Sequence, residues 1–313
     1  MKAIVIRSFG GPGVLEIAEL PTPDPANGQV RVRVQAAAVN PVDIATRAGW
    51  LAEQGLMSPG PQLGIGWDVA GVIDAVGAGV DRFEVGDPVI GMRNLLSAPL
   101  GAQAEQIVLG LEAIAPAPRL VSAAEASTLP LNGLTATQAL ESLALEAGQW
   151  LLVTGAAGAL GGFALELAAI RGLRTIAVAS ADDEDLVRRL GATEFVARTD
   201  EVGAAVRRLL PQGVDGALDA ALLGVRALDS VRDGGAFAAV AAGAAPVELR
   251  GIRVQNTWIR NDAYRLAELA AFMDAGRLTP RVASTGPLES VAEAHERLAA
   301  GGQRGRIVLE PGG

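Results

Sequence analysis

A chain of 313 residues, half of them hydrophobic and 19% charged, can bury one large core or two of ordinary size. Its net charge of −9, with no basic cluster, argues against a nucleic-acid partner, whose phosphates demand a positive footprint. Zero cysteines remove disulfides, thiolate catalysis and cysteine-ligated zinc together.

From the first residues, Met1-Lys2-Ala3-Ile4-Val5-Ile6 reads as a strand rather than a signal peptide, because the apolar stretch after the charge is too short. No run approaches the roughly 20 apolar residues that a membrane span needs. A cytoplasmic protein with no membrane partner is the expectation. As far as about Ala117 the chain shows short β-rich segments broken by Gly and Pro, and Val30-Arg31-Val32-Arg33-Val34 alternates with period two.

From Arg119 to Thr257, strands alternate with helices: Leu151–Thr154, Arg174–Ala179, Phe195–Val196, Gly216–Asp219 and Ala236–Val240 each lead into a helix or turn. That alternation predicts a parallel sheet with right-handed crossovers. Asp262–Ala275 and Leu288–Ala300 then read as amphipathic helices before a closing strand, Gly305–Leu309, which is expected to return to the first domain. The fold class is therefore α/β. A β-rich domain of residues 1–118 and 258–313 is joined to a Rossmann-type, doubly wound parallel-sheet domain of residues 119–257.

The centre of the second domain carries the strongest signal. The apolar strand Trp150–Thr154 runs into Gly155-Ala156-Ala157-Gly158-Ala159-Leu160-Gly161 and then into a helical pattern, Phe163–Arg171. Small residues there let backbone N–H groups at a helix N-terminus approach a pyrophosphate, and the flanking strand and helix supply the context that a bare glycine pattern lacks. Matched to G-x-G-x-x-G, the spacing is Ala156, Gly158, Gly161. The residues after later strands, Ala221 and Val240-Ala241, fall at the carboxyl edge where open α/β sheets bind ligands.

The second strand ends at Ser180. A small hydroxyl residue there accommodates a ribose 2′-phosphate when a cation lies nearby, whereas an acid would favour the free 2′-OH. Asp182, Asp183, Glu184 and Asp185 follow, and they either repel a phosphate or form a solvent-facing helix start that complements the dipole.

The inventory of reactive side chains is short: one histidine, His295, one tyrosine, Tyr264, and one lysine, Lys2. His295 lies in the charged helical stretch Glu289–Leu298 and is expected to be solvated, which disfavours a Ser-His-Asp hydrolase. Tyr264 falls in the apolar rhythm of a late helix and is expected to pack rather than donate a proton. Schiff-base chemistry and a phosphate loop ending in Gly-Lys-Ser/Thr lack their lysine. What survives is chemistry carried by a cofactor.

Six segments then carry a resemblance over nearly the whole chain: Ala36-Ala37-Ala38-Val39-Asn40-Pro41-Val42-Asp43, Gly64-Ile65-Gly66-Trp67-Asp68-Val69-Ala70-Gly71-Val72, Val85-Gly86-Asp87-Pro88-Val89, Leu131-Asn132-Gly133-Leu134-Thr135-Ala136, Leu190-Gly191-Ala192-Thr193-Glu194 and Arg304-Gly305-Arg306-Ile307-Val308-Leu309. The sequence resembles the zinc-independent quinone oxidoreductase (zeta-crystallin-like) branch of the medium-chain dehydrogenase/reductase superfamily. The resemblance implies a GroES-like catalytic domain, an NADPH-dependent enzyme, a quinone or conjugated enone as acceptor, and no zinc. Asn40 stands where zinc-dependent relatives place a cysteine ligand, and Gly66-Trp67-Asp68 where they place Gly-His-Glu.

Asn40 is thus the candidate contact to the acceptor oxygen or the nicotinamide ribose, with a plain Asx-type turn as the other reading. Asp43 is expected to orient that loop by accepting backbone N–H bonds. Trp50, in the loop Gly49–Gly60, and Trp67 are candidate walls of the acceptor site, although Trp67 equally suits packing, and Asp68 is taken as structural. Thr135 is expected beside the nicotinamide. Arg198 stands where the family has a tyrosine, either as a cation for the 2′-phosphate or as an ordinary surface arginine. NADPH is favoured over NADH, and a homodimer is expected through strands near Val247–Val254. Two further readings stay open: a nucleotide-binding structural or sensor protein with incidental turnover, and an enoyl-thioester reductase.

Overall fold

The computed structural model describes residues 1–58 and 60–312. The first stretch holds β1 (Lys2–Ile6), β2 (Glu16–Glu19), β3 (Gln29–Ala38), α1 (Pro41–Ala48), α2 (Trp50–Glu53), β4 (Leu63–Gly64), β5 (Asp68–Val76), β6 (Pro88–Met92), β7 (Gln106–Gly110), β8 (Ile114–Pro116) and α3 (Ala123–Ala126). The middle holds α4 (Pro130–Leu143), β9 (Trp150–Thr154), α5 (Ala159–Ile170), β10 (Arg174–Ala179), α6 (Glu184–Arg189), β11 (Glu194–Ala197), α7 (Val202–Leu209), β12 (Val214–Asp219), α8 (Val225–Leu228), β13 (Val231–Ala239) and β14 (Arg253–Asn256). The chain closes with α9 (Ala263–Asp274), β15 (Val282–Pro287), α10 (Val291–Ala299) and β16 (Arg306–Glu310).

Contacts divide the chain into two compact units, one of residues 1–131, 260–276 and 280–313, the other of residues 132–259 and 277–279. The first unit extends thirteen residues past position 118 because α3 buries Ala124 against Ala36, Ala38 and Val308 of its sheet. A short helix of small residues carries too little periodic signal to be assigned to a domain from sequence.

The first unit is β-rich. One sheet runs β15-β16-β3-β5-β6-β8, with β7 also paired to β3, and a second runs β2-β1-β4. The alternation in β3 puts Val30, Val32 and Val34 in the core with Val69, Val89 and Ile107. β16 completes this unit by pairing Val308 and Leu309 with Ala38 and Ala37, as the closing strand was expected to do.

The second unit is a parallel sheet in the order β11-β10-β9-β12-β13-β14. The chain leaves β9 in one direction and returns through β12 in the other. Strand order therefore reverses between β9 and β12, the position where open α/β sheets bind ligands at their carboxyl ends. Phe163 of α5 and Phe237 of β13 are among its largest fully buried side chains.

Three expectations fail here. Tyr264 is 76% exposed: α9 buries Leu266, Leu269, Ala270 and Met273, and a residue two before that stripe falls on the opposite side of the helix. His295 is fully buried rather than solvated, because α10 buries Val291, Ala294 and His295, and the imidazole lies four residues after Val291 on that stripe. Residues 247–252 are not strand; β14 spans only Arg253–Asn256 and pairs parallel with β13, Ala236 to Arg253.

Candidate active site

In the second unit the glycine turn joins β9 to α5 at the reversal point. Gly155 has φ +60°, a left-handed conformation that costs glycine nothing. The Gly158 N–H donates to the Gly155 carbonyl at 2.8 Å and closes the turn. A Cβ on Gly161 would collide with the Gly155 carbonyl oxygen and the Ala156 Cα, so the first turn of α5 lies directly against the loop. Ala156, Ala157 and Ala159 are buried, while Gly155, Gly158 and Leu160 reach the surface in part. The N–H groups of Ala159, Leu160 and Gly161 have no intrahelical acceptor, as at any helix start. A dinucleotide pyrophosphate fits these residues: the chain comes close, side chains are small, and donors with positive dipole end gather on one side.

The neighbouring strand ends are tied to the same turn. Thr154, the last residue of β9, donates from Oγ1 to Asp219 Oδ1 at 2.5 Å and accepts from the Ala221 N–H at 2.9 Å. Asp219, fully buried, also accepts from Leu223 N–H (3.1 Å) and Gly224 N–H (2.8 Å). One carboxylate thus fixes the 220–224 turn. Sequence reasoning missed it; the signal was an acid closing an otherwise apolar strand. Ala221 is exposed, and Val240 and Ala241 are half-buried just past β13. Thr135 is 4% exposed within α4; the helix begins at Pro130, so Thr135 lies in its second turn and not at its cap.

Ser180 and Arg198 follow the adjacent strands β10 and β11. The Arg198 N–H donates to the Ala179 carbonyl at 2.7 Å, which sets the two residues side by side with the Arg198 side chain exposed. The four acids lie where a helix start would put them: Asp182 and Asp183 in a single 3-10 turn, Glu184 and Asp185 opening α6, with Asp183 buried. Glu184 pairs with Arg188 at 2.8 Å and is neutralised locally.

In the first unit, Asn40 caps α1 ahead of Pro41, and Asp43 sits at its third position. Asp43 Oδ2 accepts from the Asn40 N–H at 2.8 Å and from Gln103 Nε2 at 3.3 Å. The Asn40 amide turns inward: Nδ2 donates to Asp68 Oδ2 at 2.8 Å and to the Ala38 carbonyl at 3.3 Å. Asp68 Oδ1 accepts from the Leu131 N–H at 2.7 Å. Asn40, Asp43, Asp68 and Gln103 are all at most 1% exposed. Burial pushes Asp43 up to about 7 against the opposing Asn40 and Gly66 N–H groups, with the nearby Asp68 adding to the rise. Asp68 is likewise pushed up to about 7 by burial, against the Asn40 and Leu131 donors. The Arg306 charge favours the ionised form of both, and burial lowers Arg306 itself to about 10. Gln103 and Arg306 had no sequence signal that tied them to this cluster.

Trp67 is half-buried and Trp50 is 37% exposed. Trp50 opens the short helix α2 directly after Gly49, whose φ of +87° ends α1; it is not in a loop.

Residues 26–119 match the alcohol dehydrogenase GroES-like domain, and residues 190–309 the zinc-binding dehydrogenase domain. The chain is 30% identical to an NADPH-dependent alkenal/one oxidoreductase of Arabidopsis thaliana, covering 99% of this chain and 80% of that one. It is 29% identical to human quinone oxidoreductase, covering 99% and 97%. The chain belongs to the quinone oxidoreductase branch of the medium-chain dehydrogenase/reductase superfamily. A solved NAD-dependent alcohol dehydrogenase superposes on this oxidoreductase with a TM-score of 0.89 and 31% identity over 100% of both chains.

The zinc in one domain's description does not fit the residues of this family member. The two metal-ligand positions hold an amide whose donor is committed to Asp68 and an indole. Among the described residues, no three His, Cys, Asp or Glu side chains gather to hold a metal ion, and none of their helices is long and apolar enough to cross a membrane.

Proposed function

We propose that this oxidoreductase reduces a quinone or a conjugated enone with NADPH and without zinc. The observation that carries the reading is the Asn40–Asp68 hydrogen bond, since at the position of a cysteine ligand stands an amide whose donor is committed to a carboxylate, and the histidine position holds Trp67. A bound nicotinamide nucleotide would supply hydride. An acceptor that spreads the resulting negative charge over a conjugated system has little need of a Lewis acid. The alkenal/one and quinone oxidoreductase relatives support the same acceptor class.

The chain's own residues supply binding and order. Gly155 to Gly161 offer N–H groups and close approach to a pyrophosphate. Ser180 and Arg198 favour a 2′-phosphate, while Glu184 is neutralised by Arg188. Thr135, Ala221, Val240 and Ala241 take their places around the nucleotide. Asn40 and Asp43 act as positioning residues: the donors of Asn40 are spent on Asp68 and Ala38, and Asp43 holds the Asn40 backbone. Trp50 and Trp67 border the acceptor. A homodimer through the segment near Val247–Val254, where Val247 and Leu249 are exposed beside the edge strand β14, and a cytoplasmic location, belong to the same reading.

The deciding experiment measures NADPH oxidation against benzoquinones, naphthoquinones, enones and simple aldehydes, with and without a chelator. Turnover of the conjugated acceptors, unchanged by chelation, is expected. Turnover of unconjugated aldehydes or alcohols alone, or loss of activity on removing zinc, would overturn the proposal.

A further inference from the structure

We infer that the acceptor carries an anionic substituent, a carboxylate or sulfonate on an apolar body, and that Arg93 receives it; this rests on the quinone or enone reading above. In the first unit, β6 pairs antiparallel with β5 so that Met92 stands opposite Asp68. Arg93 is the next residue, and its N–H donates to the Trp67 carbonyl at 2.7 Å. The arginine is therefore held one step beyond the buried Asn40–Asp68 pair. It lines an open cavity of about 550 Å³ in which it is the only charged residue among the described ones, beside the neutral Asn94 and Ser97, and Leu56, Leu95, Leu96 and Pro99 supply apolar wall.

A guanidinium that leaves water normally finds a carboxylate. Arg93, half-buried, has none among the described residues: Nη1 donates to the Val108 carbonyl at 3.1 Å, Nε has no hydrogen-bond partner, and burial lowers its pKa with no acid opposing the shift. The chain has 35 acidic side chains against 26 basic ones, so a counter-ion was available in composition and is missing in place. Within the protein the desolvation cost is offset only by that one carbonyl, with no opposite charge. A ligand carboxylate would offset it, because the planar guanidinium fork matches two oxygens. Leu95, 61% exposed, offers the apolar contact that the body of such a ligand needs. A flat hydrophobic acceptor with a negative end satisfies both halves of the cavity. A neutral one satisfies only the leucines.

The test compares kcat/KM, with NADPH, for 4-(3-oxobut-1-enyl)benzoate and its methyl ester, which share the same enone. The wild type is expected to prefer the acid by about tenfold, mostly through KM, and to lose the preference as salt is added. Arg93→Gln should bring the acid-to-ester ratio to about one, read within the variant so that any general loss cancels. Should Arg93→Gln fail to fold, Arg93→Lys carries the test: charge without the fork should lower the ratio severalfold, and an unchanged ratio counts against the inference. A folded Arg93→Gln that keeps the preference, or a wild type that favours the ester, overturns the role of Arg93. Reduction of neither compound overturns the enone reading instead.

Discussion

Asn40 Nδ2 and Asp68 Oδ2 lie 2.8 Å apart in a region without solvent access, so an amide holds a carboxylate in place from inside the protein. With Asn40→Ala, Asp68 keeps the Leu131 N–H and the nearby Arg306 charge but loses its amide donor. An unsatisfied buried acceptor costs about 1–3 kcal/mol, and denaturant unfolding should show a loss of that size. Asp68 should also be pushed higher than in the wild type, because Asn40 is the largest influence holding it down. Carboxyl NMR across the pH range separates this from mere loosening of α1, which would leave Asp68 unmoved.

Stability should depend on pH through the paired carboxylates. Both Asp43 and Asp68 are raised from 3.8 to about 7 on folding. A group raised on folding binds its proton more tightly in the native state, so its contribution is complete below the unfolded pKa and fades as pH rises through the folded one. Between pH ~4 and ~7 the unfolding free energy from these groups should fall, then level off. Asp43→Asn should flatten part of that fall in a series of melts at graded pH. A variant with the same slope as wild type would show that Asp43 is not a contributor.

His295 acts in the opposite direction. It is buried beside Arg47, with Nη1 and Nδ1 3.5 Å apart, and burial followed by the Arg47 charge lowers it from 6.5 to about 4. A base lowered on folding contributes stability above its unfolded pKa and loses it as pH falls through the folded value. The full shift is worth about 3 kcal/mol, lost between pH ~6.5 and ~4, where it works against the carboxylates. His295→Leu should remove this acid-side loss and leave the carboxylate slope alone. Native-state titration of His295 by NMR gives a direct check; a midpoint near 6.5 would contradict the burial argument.

How much of this could be read in the sequence depended on whether the signal was periodic or a matter of a single position. β10 is found at Arg174–Ala179 as expected, β9, β11 and β12 gain one or two residues, and β13 starts five residues earlier and ends one earlier, because apolar strands between turns leave period and breaker together. The glycine turn was legible because strand, small residues and helix had to coincide. Tyr264 and His295 were misplaced for one reason: on a helix, a shift of two residues in the buried stripe exchanges inside for outside, and mean polarity around His295 outweighed its spacing from Val291. Gln103 and Arg306 join the buried cluster from elements distant in sequence, and neither residue type in its local context announces that. Arg93 likewise looks like a surface residue until the absence of an acid around it is seen.

At the glycine turn, Gly161→Ala adds one methyl group against the Gly155 carbonyl and Ala156. Backbone on both sides leaves no flexible atom to give way, so α5 must shift from the loop. Overpacking of this kind costs about 1–3 kcal/mol, and the displaced N–H groups should weaken coenzyme binding about tenfold or more. Fluorescence titration with NADPH measures the affinity. Gly158→Ala separates packing from binding: its φ of −74° suits any residue and a Cβ there meets only the Gly155 oxygen, at 3.1 Å, so unfolding should change much less than for Gly161→Ala, while coenzyme affinity should still fall because this small residue lets the pyrophosphate approach.

On the proposed NADPH reading, coenzyme choice turns on Arg198 beside Ser180. The Arg198 N–H bond to the Ala179 carbonyl fixes its backbone next to the end of β10 with its side chain exposed, and the NADPH reading proposed above has that side chain meet a 2′-phosphate at Ser180. A charge-assisted contact at a solvent-exposed position is worth about 1.4 kcal/mol, or tenfold in affinity. Arg198→Gln should therefore raise the Kd for NADPH about tenfold and leave that for NADH nearly unchanged. The NADPH effect should shrink at high salt, since exposed charges are screened. Equal weakening of both coenzymes would mean that Arg198 supports the fold of this edge rather than the phosphate. Tighter NADH than NADPH binding in the wild type would place the preference with the free 2′-hydroxyl, and Asp182 would then be the residue to replace.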